Sequence, residues 1–286
     1  MLVGGSVATT SVEIIKKDGT NVCQLERLPH GQFYATQDGY VHCVVVNCYT
    51  YRENPLQFIT IFLTSFFLSE GVWVKTHKIA GRWGHLRKHS SWSSPNGIIL
   101  LGMDIEAGAD TTEILTSDGQ ATPSFTLAKP VRWSCSIQFP DKVITTGGYP
   151  PDKAVVEYNE DGFVKYLPDL TEPRYAHGCS SYLDDDQNDV MIVVGGTLDT
   201  TEKLVYGESS WIVLGPTTYK SLLTGAFVAW DDSGVRVSNI ENQLIATENK
   251  LILKFNKDTG DWTEIGRTQE SRHYHTSSVI TMKTRC

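Results

Sequence analysis

"VITTGG" at 143–148 and "MIVVGG" at 191–196 are two versions of one phrase, an unbroken apolar run closed by a glycine pair. Their second glycines, Gly148 and Gly196, lie 48 residues apart. "IILLGM" (98–103) is a further copy in which Met103 replaces the second glycine, and Gly102 precedes Gly147 by 45 residues. "MLVGG" (1–5), with Gly4 and Gly5, is another. A period in the forties, with about four short strands to the unit, is the signature of a β-propeller blade.

The text between the glycine pairs keeps phase. After Gly148 come "AVVEYN", "DGFVKYLPDL" and "EPRYAHGCSSYL", which lead into Gly195 and Gly196. After Gly196 come "EKLVYG", "SSWIVLGP" and "LLTGAFVAW". Turn signals such as Asp161-Gly162 and Ser233-Gly234 separate runs rich in Val, Ile, Tyr and Trp. No stretch carries a helical period.

These residues resemble the kelch repeat, in which an apolar strand ends in Gly-Gly. A Tyr follows, then a Trp about six residues later, and a Pro-Arg with a nearby His precedes the next unit. Tyr158, then Tyr206 with Trp211, and Phe255 with Trp262 occupy those places. The likeness is strongest over 140–215 and weakens towards both ends. It implies structural roles. The glycines permit positive φ and close backbone approach where blades converge. The aromatic rings fill the space between adjacent twisted sheets.

Counting strands predicts an all-β, six-bladed kelch-type propeller with four-stranded blades, closed by the C-terminal strand. The second strands end near Gly5, Asn47, Gly102, Gly148, Gly196 and Asn239. The blades read as 1–26 closed by 272–283, then 32–79, 88–127, 131–168, 174–215 and 220–266. The closing strand supplies the first blade with its missing member and removes an open edge.

One stretch breaks the rhythm. Leu56–Leu68 has thirteen residues without charge, glycine or proline. Tyr51 and Trp73 are 22 apart, against 5 for Tyr206 and Trp211, and removing Asn54–Glu70 restores the spacing. Residues 54–70 therefore read as an insertion in the turn between third and fourth strands. Phe, Leu, Ile, Ser and Thr are what a pyrimidine-rich tract encodes, so a retained intron is preferred over a partner-binding loop. A membrane span is disfavoured, because the run falls short of the ~20 apolar residues a spanning helix needs.

The composition is that of a soluble globular chain: 40 % hydrophobic, 20 % charged, net charge −8. That charge argues against nucleic acid as the main partner. "MLVGGSVATT" has neither the basic nor the apolar segment of a secretory leader, and the compartment stays open. The six cysteines form no CxxC pair. Cys43 and Cys48 read as flanking a turn, within reach of each other in an oxidising compartment. Cys135 and Cys179 hold equivalent places in "WSCS" and "HGCS", and read as small buried residues.

No nucleotide-binding, hydrolase or zinc-protease motif is present. "DDD" (184–186) reads as solvated turn, and His273 and His275 alternate on one strand without the rest of a metal set. Neither cofactor nor metal is expected. "PRYAHGCSS" (173–181) and "SRHYHTSS" (271–278) share Arg-x-x-His, and "KHSS" (88–91) is a partial copy. Strand polarity gathers these with the loops after the glycine pairs. Arg174, His177, Arg272, His275, His89 and Tyr149 thus read as a polar rim for a protein or peptide partner. The expected function is a monomeric, non-enzymatic interaction module. The alternative implied by the resemblance is an enzyme on the same scaffold, such as a copper sugar oxidase or a sialic-acid isomerase.

Overall fold

The computed structural model describes residues 2–3, 12–15, 18–24, 34–37, 42–48, 59–67, 72–79, 90–94, 96–102, 111–115, 121–131, 133–216, 236–272 and 276–277. Among them there is no helix. The strands form five four-stranded sheets and one three-stranded sheet, all antiparallel.

In chain order the second sheet holds Tyr34–Gln37, His42–Cys48, Ile59–Phe67 and Val72–Ile79. The third holds Ser90–Ser94, Gly97–Leu101, Thr111–Leu115 and Ala121–Thr126. The fourth holds Cys135–Gln138, Val143–Thr146, Val155–Tyr158 and Val164–Leu167. The fifth holds Gly178–Leu183, Asp189–Val194, Thr200–Val205 and Ile212–Pro216. The sixth holds Arg236–Ile240, Gln243–Phe255 and Trp262–Arg272. The first sheet draws on both ends of the chain: Thr276–Ser277 pairs with Leu2–Val3, followed by Val12–Ile15 and Asn21–Gln24.

The leading strands approach one another in cyclic order. Cys135–Gln138 lies against both Ser90–Ser94 and Gly178–Leu183, and the latter against Arg236–Ile240. Arg236–Ile240 meets Thr276–Ser277, which meets Tyr34–Gln37, which returns to Ser90–Ser94.

Burial explains why the second strands read as continuous apolar runs. Along Asp189–Val194, Val190, Ile192 and Val194 pack with Leu244, Leu253, Phe255 and Trp262 of the sixth sheet. Met191 and Val193 point the other way, to Ile137, Ile144 and Val155 of the fourth. Val143 and Val156 likewise face the third sheet, with Trp92, Ile99 and Leu101. Side chains alternate across a strand, so a strand covered on both faces favours apolar residues at successive positions; the buried Thr145 and Thr146 place their hydroxyls on Val156 O and Cys135 O.

The aromatic repeat residues staple neighbouring sheets. Trp211 Nε1 donates to Pro168 O at 2.8 Å and Trp262 Nε1 to Thr201 Oγ1 at 3.0 Å. Both rings are buried, as is Tyr158, while Tyr206 is half-buried. Tyr206 donates to Glu157 at 2.7 Å across the fourth and fifth sheets.

Several expectations need correction. Within the apolar run at 54–70, the described residues 59–67 do not hang from a turn. Ile59–Phe67 is the third strand of the second sheet, paired with His42–Cys48 and Val72–Ile79. Nine residues, seven of them β-branched or aromatic, satisfy their backbone groups best between two partners, which outweighs the Tyr–Trp spacing rule. Cys43 and Cys48 do not flank a turn; both lie in one strand. Five residues along a strand span about 16 Å, too far for a bridge. Arg236–Ile240, read as a second strand ending at Asn239, is the leading strand of its sheet and turns tightly through Glu241 and Asn242. The sixth sheet runs beyond 266 to Arg272, which pairs with Asn249. Register shifts after Asn249 and Ile252 let the two long strands stay paired over that length. Gly4, Gly5 and residues 217–235 lie outside the described residues.

Candidate interaction rim

The loops that enter the fourth and fifth sheets meet the loop that follows Gly147 and Gly148. Gly147 and Gly148 end Val143–Thr146 and pass into Tyr149-Pro150, a cis peptide. Gly148 N donates to Arg174 O at 3.0 Å, and Arg174 N donates to Asp152 O at 3.1 Å. The Arg-x-x-His segment of one sheet is therefore threaded onto the glycine loop of the sheet before it. A Cβ on Gly147 would lie 2.3 Å from Arg174 O; on Gly196 it would lie 2.5 Å from Tyr175 O. Both glycines also have positive φ, 57° and 85°. The glycine pairs thus clear a path for the Arg-x-x-His backbone.

Arg174 is a strut in the interior, not a rim cation. It is fully buried. Nη1 donates to Gly195 O and Thr200 O, both at 3.1 Å, and Nη2 donates to Thr200 Oγ1 at 3.0 Å and to Glu202. The other oxygen of Glu202 accepts from Thr171 N at 2.8 Å. Burial lowers the Arg174 pKa from its usual value against the opposing pull of Glu202. The expectation of a solvent-facing guanidinium fails because the loop carbonyls need a multidentate donor, and five fixed N–H groups supply it.

His177 is also buried, with Nε2 2.7 Å from Thr146 Oγ1. A hydroxyl beside an imidazole has the outline of an activated nucleophile. Thr146 is fully buried too, so a substrate has no approach to the pair. Arg272 occupies the end of an outer strand, not the start of the closing one. His89 and His275 lie outside the described residues.

Tyr149 keeps its place at the surface, 38 % exposed, and it is not alone. Its ring stands 5.7 Å from Trp133 and 5.3 Å from Tyr175, the latter edge to face, and Trp133 and Tyr175 are 5.2 Å apart. Trp133 and Tyr175 are half-buried. They sit in the loops before the leading strands of the fourth and fifth sheets. Ala176 N donates to Trp133 O at 2.8 Å and locks those loops together. Trp133 and Ala176 have φ of 60° and 57°, a backbone region that costs non-glycine residues on the order of 1 kcal/mol or more and persists where surroundings impose it. The result is a three-ring platform on a stiff base. Sequence reading missed Trp133 and Tyr175. The available signal was an aromatic just ahead of each of the two aligned cysteines, in "RWSC" and "RYAHGC".

The aligned cysteines themselves are joined. Cys135 and Cys179 form a disulfide between the leading strands of the fourth and fifth sheets, Cα atoms 5.9 Å apart. They are not the pair of separate small buried residues expected. Equivalent positions on adjacent leading strands bring the two Cβ atoms within bridging range. No group of three metal-ligating side chains occurs among the described residues, and no helix among them is long and apolar enough to cross a membrane.

No protein-family model matches this chain, and no curated protein matches it in sequence.

Proposed function

We propose that the six sheets are the blades of one closed, kelch-like propeller, and that the chain is a non-enzymatic module that docks a protein segment on its rim. The cyclic approach of the leading strands supports the closed ring. The first sheet, built from both termini, supports closure by the C-terminal strand. The observation that carries the function is the platform of Trp133, Tyr149 and Tyr175. Large, stiff aromatic rings at the surface, held by a lattice of backbone hydrogen bonds, are what interface anchors need. The buried Arg174 and His177 contribute by fixing the loops, so recognition rests on aromatic contact more than on cationic attraction. An extended segment with apolar or proline anchors suits such a surface.

The test is affinity capture with the immobilised full chain, quantified by mass spectrometry. Trp133→Ala with Tyr149→Ala should remove specific partners, with a loss of roughly 2–4 kcal/mol in binding. Phe163→Ala with Tyr166→Ala, which truncates two of the most exposed large side chains elsewhere, should leave capture intact. Equal capture by the platform variant and the unaltered chain defeats the proposal.

A further inference from the structure

The strand Gly178–Leu183 starts just after Tyr175 of the platform, and its far end carries a second feature. There Asn242 brackets Leu183: Nδ2 donates to Leu183 O at 2.7 Å, and Oδ1 accepts from Leu183 N at 2.6 Å. Lys257 Nζ donates to the same carbonyl at 3.0 Å. These bonds tie two turns of the sixth sheet to the fifth, the one through Glu241 and Asn242 and the one that begins at Asn256. Beside them opens a cleft of about 650 Å³, with Gln243, Lys254, Phe255, Asp258, Thr263 and Ile265 in its lining.

Lys254 sets the chemistry of this cleft. It is half-buried. The other half-buried lysines among the described residues each have a counterpart: Lys129 pairs with Asp152, Lys142 lies over Tyr206, Lys203 stands in the field of Asp184, and Lys257 holds Leu183 O. Among the described residues Lys254 has no acceptor, carboxylate or ring. A partly covered ammonium gives up hydration, and here it gains no partner in exchange. Thr263 is its cross-strand neighbour, with Cβ atoms about 5 Å apart in such pairs, so the hydroxyl stands on the same face. Gln243 adds an amide, and neither side chain spends its donor among the described residues. Three donors beside the apolar Phe255 and Ile265 suit an acceptor-only head group on an apolar body. Glu241 and Asp258 line the same cleft as Lys254 and Lys257, so a dianion meets more repulsion there than a monoanion.

We propose that this cleft binds a monoanionic carboxylate attached to an apolar body, with Lys254 taking the charge and Thr263 and Gln243 donating beside it. The carboxylate belongs either to a free acid or to an acidic side chain of a polypeptide. The site is separate from the aromatic platform, so neither proposal falls with the other.

The test is a titration of the full, ¹⁵N-labelled chain followed by amide shifts. Hexanoate should move Gln243, Lys254 and Thr263 saturably. Inorganic phosphate and hexylammonium should leave them in place. Lys254→Met should weaken hexanoate about tenfold or more, the loss expected for a hydrogen bond to a charged group. Lys254→Arg should retain binding, and Asp258→Asn should tighten it by removing a like charge. Should Lys254→Met fold poorly, the unaltered chain with ¹³C-methylated lysines decides: hexanoate must move the Lys254 signal, assigned by its loss in Lys254→Arg. A peptide blocked at both ends, with one central Glu between Leu residues, separates the two sources. Saturation at lower concentration than hexanoate assigns a polypeptide, and weaker or no binding assigns a free acid. An unsaturable hexanoate response overturns the site. So does an equal response to phosphate, or Lys254→Met binding hexanoate as the unaltered chain does.

Discussion

The guanidinium of Arg174 and the carboxylate of Glu202 meet in the interior of the protein, each side chain without exposed surface. The ion pair joins the loop that enters the fifth sheet to that sheet's third strand. Four acceptors converge on Arg174 and a backbone N–H completes Glu202. Removing one partner strands a buried charge. Arg174→Ala should therefore lower stability by about 3–5 kcal/mol, measured as the shift in urea midpoint. Arg174→Met with Glu202→Leu should cost less than the sum of the two single changes, because no lone charge remains. A freely tolerated Arg174→Ala would return this residue to the surface role that its sequence motif suggests.

Gly147 and Gly196 are fixed by backbone that lies against them. An added Cβ would overlap Arg174 O or Tyr175 O, at 2.3 Å and 2.5 Å. Positive φ adds roughly 1–2 kcal/mol for an L-residue. Gly147→Ala and Gly196→Ala should each cost at least ~2 kcal/mol. Gly207→Ala, where φ is also positive but nothing lies within 4 Å, is the control and should cost less. Thermal unfolding of the three variants ranks them; an equal loss at all three means that φ alone matters and the loops are not in contact.

Burial pushes the Tyr158 phenol up to about 12 from its ordinary 10.0. The folded state thus holds this proton more tightly than the unfolded state. Its contribution is complete below pH 10 and is lost as pH rises through about 12. The difference in stability between the unaltered chain and Tyr158→Phe should be flat from pH 7 to about 9.5 and then shift against the unaltered chain. Denaturant melts at stepped pH supply the curve, and a difference independent of pH up to 12 refutes the assignment.

Thr276–Ser277 completes the first sheet by pairing with Leu2–Val3. A chain ending at residue 275 loses that strand and bares the edge of Leu2–Val3. Unpaired edges template association, so light scattering on warming should rise earlier than in the full chain. An identical scattering profile argues that the pairing contributes nothing to solubility.

How much of this was legible in the sequence depends on whether the cause was local. The apolar runs before the glycine pairs announced strands covered on both faces, because burial on both sides favours uncharged, mostly apolar residues at successive places rather than alternation. Tyr158 and Tyr206 could be assigned to sheet-to-sheet packing, since each follows the second glycine of its pair by 10 residues, and Trp211 and Trp262 by their places shortly after Tyr206 and Phe255. The glycines themselves could be read as sites of close approach. What approached them could not: that a Cβ added to Gly147 would stand 2.3 Å from Arg174 O depends on how one sheet is placed against the next.

Tertiary structure decided the rest. The Arg-x-x-His repeat was visible, but its polarity suggested a solvent-facing rim, and only the convergence of Gly195, Thr200 and Glu202 shows Arg174 facing inward. The 59–67 run kept the apolar character of a strand while the spacing rule cast it as an insertion; pairing energy, which no spacing encodes, made it a strand. Cys135 and Cys179 occupied matching places in the repeat, yet matching places become a disulfide only when neighbouring sheets bring them within reach. The rings of Trp133, Tyr149 and Tyr175 come from three loops separated by 16 and 26 residues. The sequence determined where the strands and their fillers lie, because those follow from periodic burial. The packing of the sheets determined which loop residues meet, because a surface assembled from separate loops has no period to read.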